Sequence, residues 1–565
     1  MDTLKYDIIV IGAGIAGLSF AIKLKQLCID NNIDLSIIVL EKSSEIGGNI
    51  ISGCVFEAEC LKDLFGDKWQ EYDLGLNAKV TDESLLYLTI KNSFRLPILK
   101  KWANHNNYVI SLSQLCKKLA IIAESLGVDI LPNVAVDDIL LENNAVVGVN
   151  ANTKSEEAKI EIYAKQTVVA EGVAGVIGQK IINHFKLDEN ISSVATYGLG
   201  IKEIWQIDAK YHKLGTVQHY IGYPLQNKAY GGGFVYHLEN SRIAVGLVSS
   251  LDYKNPYFSP YDEFQQFKLH KKIRPLLETG ALIEYGARVV AEGGVCSIPN
   301  LSFAGGLIVG DSASLLNIAK IKGSHNALKS GVLAANSIFE TVRDYEIAKL
   351  NHYRLTTYET TFKQSAIYKE LYKVRNFRPA FKKGLLLGLL YNFIEHYVLR
   401  SYVFWTFKLT THDRESLMKK HLSKKIYYPA YDKKITYDRE YALSFSNLHY
   451  AEYEHTTTNN TNINSANSNQ LNNSTAAIST NLSHISVNNP FIPIILNLDT
   501  YDAPETRYCP ASVYKIIHNN SDDTYHLQIS PQNCLHCKAC VVKDPAQNIN
   551  WTNPQGGSGP QYNYM

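Results

Sequence analysis

A β-branched apolar run from Tyr6 to Ile11 opens the chain, and apolar positions at helical spacing follow from Leu18 to Leu27. Between them lies Gly12-Ala13-Gly14-Ile15-Ala16-Gly17, so the pattern predicts a strand, a tight turn and a helix. A second short apolar run, Leu35 to Leu40, ends in Glu41. Gln166 to Ala170 before Glu171-Gly172, and Leu307 to Val309 before Gly310-Asp311, read as two later strands of the same sheet. Between these pieces, segments such as Thr196–Gly200 and Tyr230–Phe234 are rich in aromatics and glycine and predict strands and turns of a second sheet domain.

Gly384 to Phe393 is the most apolar stretch, and Leu386, Leu390, Phe393 and Tyr397 recur at helical spacing. Glu395, His396 and Arg400 interrupt it well short of the roughly 20 residues that cross a bilayer. Arg375, Arg378, Lys382 and Lys383 precede it, and Tyr402, Trp405, Lys408, Lys419, Lys420, Lys424 and Lys425 follow. Two readings stay open: a helix lying in a membrane interface, or a buried helix of a large domain. Residues 455–489 are dominated by Asn, Ser and Thr, and such a stretch buries too little to offset its ordering entropy. It reads as a disordered loop or linker.

At 565 residues the chain exceeds one core and predicts two or three domains. A net charge of +2 gives no sign of nucleic-acid binding. Of nine cysteines, Cys28, Cys54, Cys60, Cys116 and Cys296 are scattered among apolar residues and read as buried thiols. The other four lie in the last 57 residues, which points to metal and a reducing compartment. So few residues precede the first strand that neither a signal peptide nor a transit peptide fits.

The glycine turn predicts a dinucleotide site. Gly12 permits the turn, Gly14 lets backbone approach a pyrophosphate, Gly17 lets helix pack on strand, and Glu41 is placed for ribose hydroxyls. FAD is favoured over NAD because Gly47-Gly48 follows where a ribityl chain must run, and because Gly310-Asp311 suits ribityl and pyrophosphate contacts.

Near the C-terminus stands Cys534-x-x-Cys537-x-x-Cys540, with Cys509-Pro510 upstream. Two-cluster ferredoxins continue with x₃-C-P, the last cysteine serving the second cluster. Here Asp544-Pro545 occupies that slot, so one [4Fe–4S] cluster is expected on Cys509, Cys534, Cys537 and Cys540. Zinc also accepts four thiolates, but its sites usually pair two C-x₂-C knuckles. A triplet plus a remote single favours iron–sulfur.

With these motifs in place, the chain resembles the electron-transfer flavoprotein:ubiquinone oxidoreductase family over nearly its whole length. The resemblance rests on GAGIAG, TYGLGIKEIW from Thr196, YGGGFVYHL from Tyr230, VSSLDYKNPY from Val248 and KIKGSHNALKSG from Lys320. YDAPETRYCPASVY, CLHCKACVVKDPAQNINW from Cys534 and the terminal GGSGPQYNYM match as well. The implied architecture is a discontinuous α/β FAD-binding Rossmann-like domain (1–90, 128–190 and 300–345) and an α+β ubiquinone-binding domain (91–127, 191–299 and 346–440). A C-terminal ferredoxin-like 4Fe–4S domain (496–565) completes it. The implied activity is electron transfer from reduced electron-transfer flavoprotein to ubiquinone through FAD and one cluster, with no general base or nucleophile. The implied quinone contacts are Gly231 and Gly232, and the implied membrane-dipping segments are Cys54–Leu76 and Phe381–Ser401. The chain is expected to be a monotopic monomer on the cytoplasmic face of a bacterial inner membrane, or alternatively on the matrix side of the mitochondrial one. Ser111 stands where the family typically carries Arg, Asp311 where some relatives carry Cys, and the Asn-rich stretch is expanded. The rival readings are a geranylgeranyl-reductase-like flavoenzyme and an electron-carrier subunit of a larger complex.

Overall fold

The computed structural model describes residues 3–98, 102–153, 160–345, 350–450, 483–521 and 523–565. The anticipated linker lies outside the described residues as far as 482, but its end does not: Ile485–Val487 is a strand paired with Ile549–Trp551.

The first sheet is built on five parallel strands in the order Gly306–Ile308, Ile160–Val169, Thr3–Ile11, Ile37–Leu40 and Asp129–Leu131. Ile8, Ile9 and Val10 on the central strand are fully buried, as expected where both faces of a parallel sheet are covered. Helix Ile15–Asp30 packs on helix Ser324–Tyr345, and they approach closely because Gly331 has no side chain: a Cβ there would lie 2.3 Å from the Ala16 carbonyl oxygen.

The second sheet has seven strands, ordered Ala281–Ala291, Tyr197–Gln206, Arg242–Ser250, Gly231–His237, Thr216–Gly222, Asp82–Leu88 and Ser93–Leu96. All neighbours are antiparallel except Thr216–Gly222 beside Asp82–Leu88. Phe264 and Phe267 of helix Pro260–Leu269 are buried in this unit's core.

Contacts redraw three of the anticipated boundaries. Strand Asp82–Leu88, placed with the nucleotide unit by sequence order, hydrogen-bonds in the second sheet. Helix Leu112–Ser125, assigned to the quinone domain, buries Leu115, Cys116 and Leu119 in the first sheet's core. Helices Thr356–Gln364 and Ala366–Lys373, also assigned there, bury Tyr358, Phe362 and Leu371 in that same core.

The C-terminal segment does not keep a core of its own. Cys509, Tyr508, Cys537 and Trp551 share one apolar cluster with Leu199, Trp205 and Tyr285 of the second sheet. The Tyr285 hydroxyl donates to the Pro510 carbonyl at 2.7 Å, and the Val289 N–H to that of Cys537 at 3.0 Å. The last residues then return to the first unit, where the Tyr562 N–H donates to the Gly48 carbonyl and the Ser113 N–H to that of Met565.

Candidate functional site

The glycine turn joins strand Thr3–Ile11 to helix Ile15–Asp30 with each glycine in a different role. Gly12 adopts φ +105°, and a Cβ there would lie 2.6 Å from the Ala170 carbonyl oxygen. A Cβ on Gly17 would lie 2.1 Å from the Gly12 carbonyl oxygen, so the helix can seat on the strand only without one. Gly14, at the helix N-cap, has no atom within 4 Å of its Cβ position. Its missing side chain leaves open space at the end of the helix where backbone N–H groups are unpaired. The Glu41 carboxylate steadies this loop, accepting from the Ala13 N–H at 3.0 Å and the Ser43 N–H at 2.9 Å.

The structure brings the distant Gly310-Asp311 to the same place. Gly310 has φ +64°, and its Cβ position is 2.6 Å from the Ala16 methyl. Asp311 Oδ1 is buried without a hydrogen-bond partner; burial raises this carboxyl, against the pull of Arg288 and His325. An open helix N-terminus facing an orphaned carboxylate oxygen fits a ligand carrying both phosphates and hydroxyls, as FAD does. Gly47 and Gly48 lie on the tail side of this cradle. Gly47, at φ +86°, abuts Ser113, and Gly48 abuts Gln561 and Ser43. The C-terminal tail thus walls the nucleotide site, a role its sequence did not reveal. Ser111 has a local duty: it caps helix Leu112–Ser125 by accepting from the Gln114 N–H and donates to the Met565 carbonyl.

Cys509, Cys534, Cys537 and Cys540 converge as free, buried thiols around a small cavity, which Ala511, Val513, Leu535 and Trp551 also line. Burial pushes Cys509 up to about 11 and Cys540 up to about 12, and it raises Cys534 and, furthest, Cys537. Neighbouring thiolates add to the Cys537 shift. The Tyr514 hydroxyl favours the Cys540 thiolate and the Trp551 indole the Cys534 thiolate. Four buried thiols of this kind ionise together only around a metal charge. Geometry separates the two candidate metals. One tetrahedral zinc, with Zn–S near 2.3 Å, would draw its sulfurs to about 3.8 Å apart. Among the described residues, the groups of three or more ligand atoms within 4.8 Å of one another include only Cys534 of the four, alongside His484 and His536. The cage is therefore too wide for a single ion and fits a polynuclear core.

Between cradle and cage lies a belt of cations that sequence reading missed, with Lys538 buried and Lys42 and Arg288 half-buried. Lys42 Nζ is 3.3 Å from His536 Nδ1, and burial, then Arg288, lowers it to about 8 against the pull of Glu41 and Glu171. Lys538 Nζ stands 2.9 Å from the Trp551 ring centroid. Arg288 reaches toward the His536 carbonyl at 3.5 Å, and its charge acts on Asp311. Three cations gathered this way suit a position between anionic phosphates and a thiolate-bound cluster.

Gly231 and Gly232 open strand Gly231–His237, an interior strand of the second sheet. Their Cβ positions lie 2.0 Å from the Val248 carbonyl oxygen and 2.4 Å from that of Tyr220, so each glycine is required by sheet packing. Tyr230 beside them packs on Phe381, with ring centroids 4.9 Å apart, and Arg378 stacks on Tyr230 at 4.3 Å.

Phe381 leads into helix Leu385–Phe393, whose apolar side is bare: Leu386 is 74% exposed, and Leu387, Leu390, Phe393, Tyr397 and Val398 are exposed with it. Glu395 and His396, which break the apolar run in sequence, turn inward and are buried. Arg375 and Arg378 are buried too and so do not flank an interface as charge; Arg378 pairs with Glu292 at 2.8 Å and Asp252 at 3.0 Å. Cys54–Leu76, the other anticipated membrane segment, instead packs Phe56, Leu61, Leu64, Trp69 and Leu74 into the first core. Among the described residues, no helix is long and apolar enough to cross a membrane.

Comparison with known proteins finds nucleotide-binding, ubiquinone-binding and 4Fe-4S matches along the chain. Residues 10–63 match a NAD(P)-binding Rossmann-like domain and 94–224 an FAD binding domain. Residues 197–290 match the family described as ETF-QO, ubiquinone-binding, and 464–563 that described as electron transfer flavoprotein-ubiquinone oxidoreductase, 4Fe-4S. A protein of Oryza sativa subsp. japonica named electron transfer flavoprotein-ubiquinone oxidoreductase, mitochondrial, is 41% identical, over 100% of this chain and 94% of its own length. Its Homo sapiens namesake is 39% identical, over 99% and 89%. A solved geranylgeranyl bacteriochlorophyll reductase-like protein of Thermoplasma acidophilum superposes with TM-score 0.52 at 21% identity, covering 66% of this chain and 86% of that one. That likeness is one of fold, and it does not favour the reductase alternative over relatives that match end to end. This chain belongs to the electron transfer flavoprotein-ubiquinone oxidoreductase family.

Proposed function

We propose that the chain takes electrons from reduced electron-transfer flavoprotein and delivers them to ubiquinone, using FAD and one [4Fe–4S] cluster. The observation that carries this is the arrangement of cradle and cage. The four-thiol cavity shares a core with the second sheet, and the tail beyond it walls the nucleotide cradle. FAD and the cluster supply the redox chemistry when bound, and the protein sets position and potential. Gly12, Gly14 and Gly17 shape the phosphate end, Glu41 reaches the adenosine ribose, and Gly47, Gly48, Gly310 and Asp311 hold the ribityl stretch. Cys509, Cys534, Cys537 and Cys540 ligate the cluster, while Tyr514 and Trp551 stabilise charge on its sulfurs.

Gly231 and Gly232 offer backbone groups to the quinone ring beside Tyr230 and Phe381, at the foot of the exposed helix. That helix supplies the membrane face, since a bare patch of leucines and aromatics is what an interfacial segment presents. The surface is a respiratory membrane. The relatives' names point to the mitochondrion, and the bacterial cytoplasmic face is the topologically equivalent side. One chain carries both cofactor sites, so a monomer suffices.

The test is turnover of a soluble ubiquinone analogue by purified holoprotein, driven by reduced electron-transfer flavoprotein. Quinol formation supports the reading. No turnover by protein with full flavin and iron content would remove it, and reduction of an isoprenoid double bond would replace it with the reductase alternative.

A further inference from the structure

The second sheet turns a nearly bare face toward the nucleotide cradle. Its register sets Gly286, Lys202, Gly246 and Phe234 side by side in one row, and Arg288, Gly200, Val248 and Gly232 in the next row on that face. Half of these eight positions are glycine, so little rises from the sheet there. A Cβ on Gly286 would lie 2.7 Å from Ile51 Cδ1 and 2.8 Å from the Tyr562 hydroxyl oxygen. The segment that follows Gly48 and the C-terminal tail therefore rest against this floor. From the second row the Arg288 charge acts on Asp311, the orphaned carboxylate of the cradle. A ligand whose chain is held by Gly47, Gly48 and Asp311 thus has this floor as the wall for its flat end, and glycine inside a strand marks such close approach.

One charge stands in the first row. Lys202 is 2% exposed, and its Nζ donates to the Ser52 carbonyl at 3.1 Å and to Cys54 Sγ at 2.9 Å. Two other buried cations meet carboxylates: Lys268 pairs with Glu203 at 2.8 Å, and Arg378 with Glu292 at 2.8 Å. Among the described residues Lys202 has no such ion pair. Glu284, a carboxylate on which its charge acts, is instead held by the Asn563 and Tyr564 N–H groups at 2.7 and 3.0 Å. A buried ammonium with no counter-ion is costly, and an anion brought beside it relieves that cost. Ser52 and Cys54 come just after Gly48 in the chain, so the open place for that anion lies beyond the ribityl end of the cradle.

We propose that Lys202 sets the reduction potential of the flavin, by holding a positive charge against the ring as the ring gains electrons. The proposal rests on FAD binding in the cradle. Flavin that takes up two electrons and one proton carries one added negative charge. The electrons come from reduced electron-transfer flavoprotein and the proton from water. Lys202 forms no bond in this step and gives up no proton. Its charge favours the reduced form over the oxidised one, so it makes the flavin a better acceptor.

The test uses full-length holoprotein with verified flavin and iron content, as wild type, Lys202→Gln, Lys202→Met and Lys202→Arg. Gln keeps a donor for the Ser52 carbonyl and removes the charge, Met removes both, and Arg keeps the charge. Spectroelectrochemistry should find the flavin reduction equilibrium ten- to hundredfold less favourable in Lys202→Gln, a drop of about 30–60 mV for a two-electron couple. Lys202→Met should fall equally, so the prediction does not hang on the folding of one variant, and Lys202→Arg should recover at least half of the drop. The cluster potential, read by EPR in the same samples, should stay where it is in wild type. An unchanged flavin potential in the two neutral variants would overturn the proposal. So would an equal drop in Lys202→Arg, or a cluster potential that moves with the flavin, since either would mean that the side chain merely holds the sheet in shape. Wild-type protein that retains no flavin would count instead against the cradle itself.

Discussion

The nucleotide cradle and the thiol cage hold their cofactors by opposite means. The cradle is made of backbone: Gly12, Gly14 and Gly17 matter for the side chains they lack, and one short segment sets most of the geometry. The cage is made of side chains from two segments, Cys509 and Cys534–Cys540, closed by packing against Tyr285 and Leu199 of another sheet. A backbone site survives or fails by local sterics. A side-chain site stands or falls with the fold around it, and the contrast can be broken from either end.

The largest effect should come from the cage. Cys537→Ser should erase the low-temperature EPR signal of the reduced cluster and lower the melting temperature sharply, because the thiols are part of the second sheet's core. Flavin absorbance should persist, and loss of both cofactors together would show that the sites are not separable.

Two glycines test the cradle next. Gly17→Ala puts a methyl 2.1 Å from the Gly12 carbonyl oxygen, which should cost about 1–3 kcal/mol of stability and weaken FAD retention. Gly14→Ala meets no protein atom within 4 Å. It should leave apoprotein stability within about 1 kcal/mol and still weaken FAD binding, since only the ligand would fill that space. Equal destabilisation of the apoprotein by both, read by chemical denaturation, would make the cradle an ordinary turn.

A smaller, surface effect is expected at the exposed helix. Leu386→Asp with Leu390→Asp should release the protein from lipid vesicles in a flotation assay without changing cofactor content, because neither side chain is buried. Unchanged flotation would leave that patch without a membrane role.

The last effect is confined to high pH, near the cage. Burial, reinforced by Asp544, raises Glu505 to about 7. The folded state therefore binds this proton more tightly than the unfolded state, and the associated stability is present below about pH 4.5 and lost as pH rises through 7. Glu505→Gln should be more stable than wild type by about 1–3 kcal/mol at pH 8, with the gap closing toward pH 4.5. A gap that does not vary with pH would mean that the carboxyl is already ionised in the fold.

The same contrast explains what the sequence made legible. Strand, glycine turn, helix and Glu41 follow one another in order, so local pattern was enough for the cradle. The Cys534–Cys540 triplet was equally plain, and Asp544 in place of a fifth ligand set the count. What lay beyond pattern was contact between distant segments. Strand Asp82–Leu88 pairs with Thr216–Gly222, and helix Leu112–Ser125 docks on the nucleotide unit, although chain order suggested the reverse. Arg375 and Arg378 looked like interfacial cations, yet their partners, Glu292 and the Val403 and Trp405 carbonyls, lie far along the chain. Nor could composition tell that Gln561 and Tyr562 would close the cradle, since short polar tails rarely find a buried seat.

The account stands most directly on what one folded chain contains. Iron, zinc and flavin should be measured together on protein purified without oxygen. One flavin and four irons per chain with no zinc is the expected result, because the cage is too wide for one ion and offers a single set of four thiolates. Stoichiometric zinc, or eight irons, would contradict it.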